Sequence, residues 1–222
     1  MKIYKIAVDG PAGVGKSSIS KAVAKELGIT YVDTGAMYRA VGLYCKENNI
    51  LCENAGTVMD KINIDISYDE EAGQKIYLNG RDVSKDIRLG DVSTYASKVA
   101  VVGEVRKKLV EIQQEIGKTK SVIMDGRDIG TKVFPDADVK LFITASAEVR
   151  AKRRCAELAE MGETVSYEKI LEEIKFRDNN DSTRKIDPLK PAEDAIMVDN
   201  SVNTFEKTKE EIIKIINDKI RG

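Results

Sequence analysis

The sequence predicts an α/β fold, with a central parallel sheet flanked by helices and a small antiparallel sheet inserted into the chain. Three observations carry this expectation. An apolar run, Ile3 to Val8, leads straight into Gly10-Pro11-Ala12-Gly13-Val14-Gly15-Lys16-Ser17, and Ser17 opens a helical pattern. Short apolar stretches then alternate with helical ones, which implies parallel strands joined by helical crossovers. Between residues 62 and 80 the apolar period drops to two, as half-buried antiparallel strands require.

Residues 10–17 match the phosphate-binding loop, with four residues between the first glycine and Gly-Lys-Ser. The context is that of the P-loop NTPase fold. A strand, a glycine-rich turn and a helix N-terminus bring backbone N–H groups to one point, where phosphate oxygens accept them. The first helix presents Ile19, Ala22, Val23 and Leu27 on one face, and Gly28 stops it.

A second strand, Ile29 to Val32, ends at Asp33-Thr34-Gly35, and a helix follows through Met37, Val41 and Cys45. In the inserted sheet, Ile62, Ile64, Ile66 and Tyr68 alternate with polar residues, Asp69 to Gly73 reads as a polar turn, and Ile76 and Leu78 resume the alternation. Asn79-Gly80 is a tight-turn signal. Val92 to Ile116 is helical, with Gly117 as its stop. Val122 to Met124 is a short strand ending in Asp125-Gly126-Arg127-Asp128, Pro135 closes a loop, and Val139 to Ile143 is another strand. Two charged helices cover about Ala147 to Met161 and Ser166 to Arg177, and the polar segment Asp178 to Pro191 reads as a loop. Ile196 to Val198 is the last strand, and Asn203 caps the final helix. Ligands of such a sheet bind at the strand carboxyl ends, where Gly10 to Ser17, Asp33 and Asp125 to Asp128 all fall.

A chain of 222 residues suits one α/β domain with an insertion. Lys+Arg is 36 and Asp+Glu 37, a net charge of −1, which argues against a dedicated nucleic-acid binder. The near-neutral charge and the lack of an exposed apolar heptad point to a monomer. The opening residues read as a strand rather than a signal peptide, and no apolar run reaches membrane-spanning length. With Cys45, Cys52 and Cys155 read as reduced thiols, these features point to the cytoplasm. The complete absence of histidine removes Ser–His and Cys–His nucleophiles and histidine-ligated zinc. Phosphoryl transfer survives, because it needs positioning and charge stabilisation more than a strong base.

On this reading Lys16 contacts the β- and γ-phosphates and the Ser17 hydroxyl ligates Mg²⁺. Asp125, ending an apolar strand, either holds the metal through water or caps the strand–loop junction, and Asp33 is a similar candidate. Arginine is the second theme: Arg39, Arg127, Arg177 and Arg184 stand near these loops, and Arg150, Arg153 and Arg154 share one helix face. Like charges crowded on a face repel, and an anionic partner relieves the repulsion. The alternative is a solvated face balanced by Glu148 and Glu157.

Three blocks carry a resemblance. The loop continued through Ser18, the run Tyr31-Val32-Asp33-Thr34-Gly35-Ala36-Met37-Tyr38-Arg39, and Asp125-Gly126-Arg127-Asp128-Ile129-Gly130-Thr131 with Val133-Phe134-Pro135-Asp136-Ala137 together resemble the bacterial cytidylate kinases, over essentially the whole chain. The resemblance implies an enzyme that phosphorylates CMP and dCMP with ATP, in pyrimidine nucleotide metabolism. ATP would sit on Gly10, Pro11, Ala12, Gly13, Val14, Gly15, Lys16, Ser17 and Ser18. Thr34, Arg39, Arg127 and Arg184 would hold the acceptor phosphate, beside Tyr38. Ser97, Arg106 and Asp128 would read cytosine, and Arg177 and Asp181 would hold the ribose. Lys16, Arg127, Arg184 and Arg154 are the catalytic candidates, with Ser17 and Asp125 for the metal. The resemblance also implies one kinase domain over 1–222, an acceptor-binding insert at about 60–90 and a mobile lid at about 147–163. Some members have serine where this chain has Thr34, and either supplies a hydroxyl.

Two competing readings remain. A different small-molecule kinase, for uridylate or shikimate, would share the fold but not the Arg106–Asp128 donor–acceptor pair. A guanine-nucleotide switch would need Asn/Thr-Lys-x-Asp, which neither Thr119-Lys120-Ser121-Val122 nor Thr131-Lys132-Val133-Phe134 completes.

Overall fold

The computed structural model describes residues 2–69, 73–160 and 162–221. Its main sheet contains β1 (Lys5–Asp9), β2 (Thr30–Asp33), β6 (Val122–Gly126), β7 (Val139–Thr144) and β8 (Ile196–Asp199), in the order β2-β6-β1-β7-β8 with every pairing parallel. The inner strands β1, β6 and β7 are buried almost throughout because both their faces are covered, whereas the edge strand β8 leaves Met197 exposed. On one side α1 (Lys16–Leu27) and α7 (Phe205–Arg221) close over Ile6, Val8, Ile123 and Leu141. On the other, Ala7, Val32, Val122 and Met124 meet Val110 of α4 (Gly103–Thr119), together with Phe134.

The change of period at residue 62 marks a second sheet, β3 (Ile64–Asp69), β4 (Gly73–Leu78) and β5 (Arg81–Asp82), all antiparallel. Asn79 (φ 50°) and Gly80 (φ 82°) turn β4 into β5 through the left-handed region that an Asn-Gly hairpin needs. Positions 70–72 of the expected polar turn lie outside the described residues. The insert packs on α2 (Thr34–Glu47) and on 3₁₀ segments at Cys52–Lys61 and Asp86–Arg88, with Ile64, Ile76, Leu78 and Ile87 buried in a common core.

Four expectations need correction. The helical pattern from Val92 onward is two helices, α3 (Val92–Val99) and α4, because the chain turns at Ala100–Val102, where Arg106 donates to the Ala100 carbonyl at 3.2 Å. Gly117 lies inside α4 and does not stop it. It is small for packing: a Cβ there would stand 2.5 Å from Phe134 Cζ. α5 (Ala147–Glu160) falls as expected, with Met161 outside the described residues, but α6 (Tyr167–Thr183) runs past Arg177. Asp178 and Asp181 therefore sit on a helix, held there by ion pairs to Arg150 and Arg127. Finally, α7 is capped by Thr204 rather than Asn203, since Lys207 N–H donates to Thr204 Oγ1 at 3.4 Å. The segment after Asp128 adds a short π-type turn at Ile129–Val133.

Candidate active site

Parallel register places the carboxyl ends of three strands side by side, with Val8 opposite Asp125 and Asp125 opposite Asp33. The phosphate loop leaves from β1, the middle strand of the five. Gly10 has φ +146° and lies so close to β7 that a Cβ would stand 2.0 Å from the Ile143 carbonyl oxygen, so only glycine fits. Val14 points into the apolar core and pins the loop to it.

Lys16 is buried, and its Nζ donates to the Pro11 carbonyl at 2.7 Å. Burial, and next the charge of Arg127, push its ammonium down to about 7, against the pull of Asp125 and Asp9. Ser17 Oγ donates to Asp125 Oδ2 at 2.7 Å, and Tyr31 donates its hydroxyl to Asp125 Oδ1 at 2.9 Å. Burial, and then the neighbouring Asp33, raise the Asp125 carboxyl to about 6. Lys16, Ser17 and Tyr31 draw it back in part.

A cavity of about 390 Å³ opens over the loop. Gly13, Gly15, Lys16, Ser17 and Ser18 form one end, with Ala12 beside them. Thr34, Tyr38 and Arg39 enter from α2, Ser97 from α3, and Arg177, Asp181 and Arg184 from the region of α6. Arg127 and Asp128 come from the loop after β6 and Arg106 from α4. Of the residues singled out in the sequence, Gly10, Pro11 and Val14 shape the loop from behind.

Arg154 is placed differently from expectation. It pairs with Glu157 at 3.0 Å on the half-exposed face of α5 and lines a neighbouring cleft of about 830 Å³. Arg153 is the α5 arginine that reaches the cavity, and it donates to the Asn200 carbonyl at 2.7 Å. Arg150, buried, is paired with Asp178 and donates to the Ala12 carbonyl of the loop at 3.1 Å. The three arginines thus share the cleft, while their partners spread their charges apart.

The cavity's cations are crowded. Arg127 Nε donates to Asp181 Oδ2 at 2.8 Å and Nη1 to the Gly126 carbonyl at 3.1 Å. Arg39 is 3.5 Å from Asp33, and the buried Nε of Arg177 has no protein partner among the described residues. Burial and the charge of Arg127 hold Arg177 below its usual range, and burial with Arg106 does the same to Arg184. Thr34 is turned inward and donates to the Asp125 carbonyl at 2.8 Å.

At the far end Arg106 and Asp128 form a buried ion pair. Arg184 approaches the other Asp128 oxygen at 3.4 Å, and Arg106 Nε donates to Asp187 at 3.0 Å. Arg106 also stands 5.9 Å from the Tyr38 ring centre. Burial opposes its charge, but Tyr38, Asp128 and Asp187 outweigh burial and keep it ionised. The result is a fixed pattern of donors and acceptors in the wall of the cavity.

Four residues that support this site escape a sequence reading. Asp9 accepts from two backbone amides after Asp128. Asp187, at φ 45°, orients Arg106. Gln74 of the insert grips both backbone groups of Asp33 on the edge strand, accepting at 2.7 Å and donating at 3.1 Å. Asn200 donates to the Val14 carbonyl at 2.8 Å. Asp9 and Asn200 do carry a signal, a polar residue at or just after a strand end. Gln74 and Asp187 depend on tertiary neighbours that no local pattern reveals.

The family model for cytidylate kinase matches residues 6–218. A cytidylate kinase of Caldicellulosiruptor saccharolyticus is 51% identical over 217 residues, covering 97% of this chain and 96% of that one. One from Parabacteroides distasonis is 50% identical over 216 residues, covering 94% of each. One from Acholeplasma laidlawii is 50% identical over 213 residues, covering 96% and 95%. Among solved structures, a gluconokinase from Sinorhizobium meliloti aligns with TM-score 0.50 at 14% identity, covering 97% of this chain and 92% of that one. An uncharacterized protein from Eubacterium ventriosum aligns with TM-score 0.53 at 14% identity, covering 98% and 99%. At that identity the structural likeness shows the fold alone.

Proposed function

The chain belongs to the cytidylate kinase family, and from that premise we propose that it transfers the γ-phosphoryl group of ATP to CMP and dCMP, yielding ADP with CDP or dCDP. One observation carries the reading: a single cavity joins the phosphate loop to the buried Arg106–Asp128 pair through a cluster of arginines.

The acceptor phosphate is already a nucleophile at neutral pH, since its second pKa is about 6. The enzyme therefore needs no general base, in keeping with a chain that has no histidine. Its task is to align two polyanions, offset their charge and keep water out. Lys16 and the loop amides hold the donor's phosphates. Arg39, Arg127 and Arg184 hold the acceptor's phosphate, joined by the Thr34 hydroxyl once it turns from the Asp125 carbonyl, and Arg127 bears on the transferring group. The crowding of these cations supports this, because a dianion relieves their mutual repulsion. Arg177 and Asp181 take the ribose, beside Tyr38. Ser97, Arg106 and Asp128 read the base. Cytosine offers an amino group to Asp128 and acceptors to Arg106, whereas uracil presents a carbonyl and an N–H at those edges.

Ser17 and Asp125 fit Mg²⁺, which takes one or two carboxylates and completes its shell with water and phosphate. When bound, the ion offsets charge building on the transferring phosphoryl group. The insert at about 60–90 serves as the acceptor-binding region and the segment at about 147–163 as the lid, where Arg153 and Arg154 stand over the loop side of the cleft. Closure matters because hydrolysis is the competing reaction. No helix among the described residues is long and apolar enough to cross a membrane; a cytoplasmic monomer is part of the same reading. Coupled ADP release with CMP, dCMP, UMP and AMP tests the assignment. CMP and dCMP turn over fastest if it holds, and UMP or AMP in first place overturns it.

A further inference from the structure

The mechanism above makes no use of Asp9, yet its carboxylate is among the most deeply buried in the protein, at 4% exposure. Burying a carboxylate is costly unless its oxygens are satisfied. Both are: Oδ1 accepts from Ile129 N–H and Oδ2 from Gly130 N–H, each at 2.8 Å. These are the first amides of the π-type turn, whose N–H groups have no partner within the turn itself. Its far side is closed by the Asp128 carbonyl, which accepts from Lys132 at 2.8 Å and Val133 at 3.2 Å. The turn that follows Asp128 is thus held at both its start and its end.

Asp9 is also the last residue of β1, immediately before Gly10, and sits in register opposite Gly126. It does not line the cavity. Its oxygens reach backbone two and three positions beyond Arg127. Its charge also pulls on Lys16, an effect common to every acceptor, so a change in acceptor preference is what reports on the turn.

We propose that Asp9 is a positioning residue for acceptor selection: it fixes the backbone of Ile129 and Gly130 so that Asp128 keeps both oxygens on Arg106 and Arg184. This rests on the reading of Asp128 as the group that recognises the base. Only a carboxylate serves, because each of two parallel N–H groups needs its own acceptor. Asparagine supplies one acceptor and turns an N–H₂ against the second amide, leaving a buried donor unpaired. Gly130 reports on the same clamp from the other side. A Cβ there would touch Asp9 Oδ2 at 3.4 Å and press on the Lys140 stem at 3.2 Å from Cδ, so alanine crowds the clamp only lightly.

The test is kcat/KM for CMP and UMP in wild type, Asp9→Asn, Gly130→Ala and Asp128→Asn, with thermal unfolding recorded for each. Asp9→Asn is expected to narrow the CMP/UMP ratio about tenfold, mainly through a higher KM for CMP. Gly130→Ala should narrow it less, in the same direction. A residue that only stabilises the fold lowers Tm and slows both acceptors by one factor. If Asp128→Asn narrows the ratio while Asp9→Asn and Gly130→Ala leave it unchanged, the proposal falls and the base-reading role of Asp128 stands. If Asp128→Asn leaves the ratio unchanged, that role falls and this proposal falls with it. Should Asp9→Asn not fold, the ratio in Asp9→Ser decides, since its single oxygen on a shorter side chain cannot serve both amides.

Discussion

Ser17 Oγ donates a 2.7 Å hydrogen bond to Asp125 Oδ2, joining positions 108 residues apart. The bond ties the helix behind the phosphate loop to the end of β6, and Tyr31 holds the second Asp125 oxygen at 2.9 Å. Both contacts are with neutral hydroxyls, so the buried carboxylate has no cation in direct contact through them. If this pair holds Mg²⁺, Asp125→Asn should raise the half-saturating Mg²⁺ concentration by about 10–100-fold, the range found when groups around a metal are altered. Tyr31→Phe should shift it in the same direction by less. A Mg²⁺ titration of turnover checks both, and an unchanged requirement in Asp125→Asn removes the residue from the metal site.

Lys16 gives a second prediction through its proton. Its folded value of about 7 lies well below the ordinary lysine value of 10.5. The stability this group contributes is therefore present above pH 10.5 and lost as pH falls through about 7. Polyphosphate favours the charged amine, so ATP binding at pH 8 should take up close to one proton, and ATP itself is fully ionised there. Calorimetry in buffers of different ionisation heat measures the uptake. Lys16→Met should abolish it and cost at least about a hundredfold in kcat. Uptake of the same size in the variant would assign the proton elsewhere.

Arg127 makes a third case. Its Nε is engaged by Asp181 and one terminal nitrogen by the Gly126 carbonyl, which fixes the plane of the guanidinium in the cavity. A planar fork meets two phosphate oxygens at once, and an ammonium cannot. Arg127→Lys should fail nearly as badly as Arg127→Ala. Steady-state kinetics decide it: full activity with lysine would reduce Arg127 to a general counter-charge.

Gly117→Ala sets a methyl 2.5 Å from the Phe134 ring, and overpacking of this kind costs about 1–3 kcal/mol. Tm should fall by about 2–4 °C for each kcal/mol. Phe134→Leu in the same chain should recover part of the loss. Additive losses in the double variant would mean that the two side chains do not meet.

That glycine also shows where sequence reading stops. A glycine near the end of a helical pattern has two physical meanings, a left-handed stop or a close approach, and only the neighbour from residue 134 distinguishes them. Gly28, at φ 66°, is the stop it reads as, and Gly117 is the close approach. The phosphate loop was legible because its function is written in local backbone geometry. The inserted sheet was legible because a change of period is also local. The end of α6 was not: polar residues 178–183 look like a loop until their carboxylates meet Arg150 and Arg127. Nor could spacing separate Arg153 from Arg154. Neighbouring positions on a helix differ by about 100° of rotation, and packing decides which one reaches the cavity.

On the proposed reading the buried Arg106–Asp128 pair selects cytosine, and kcat/KM for CMP and UMP in wild type and Asp128→Asn decides it. A site built to hydrogen-bond one group rejects the analogue that leaves its polar atoms unpaired, often by several kcal/mol. Wild type should therefore strongly prefer CMP. In Asp128→Asn an amide N–H₂ can face the uracil carbonyl, so the preference should narrow, with UMP losing less than CMP. If the substitution slows both acceptors by the same factor and leaves the ratio intact, Asp128 only supports Arg106 and Arg184, and base selection lies elsewhere in the cavity.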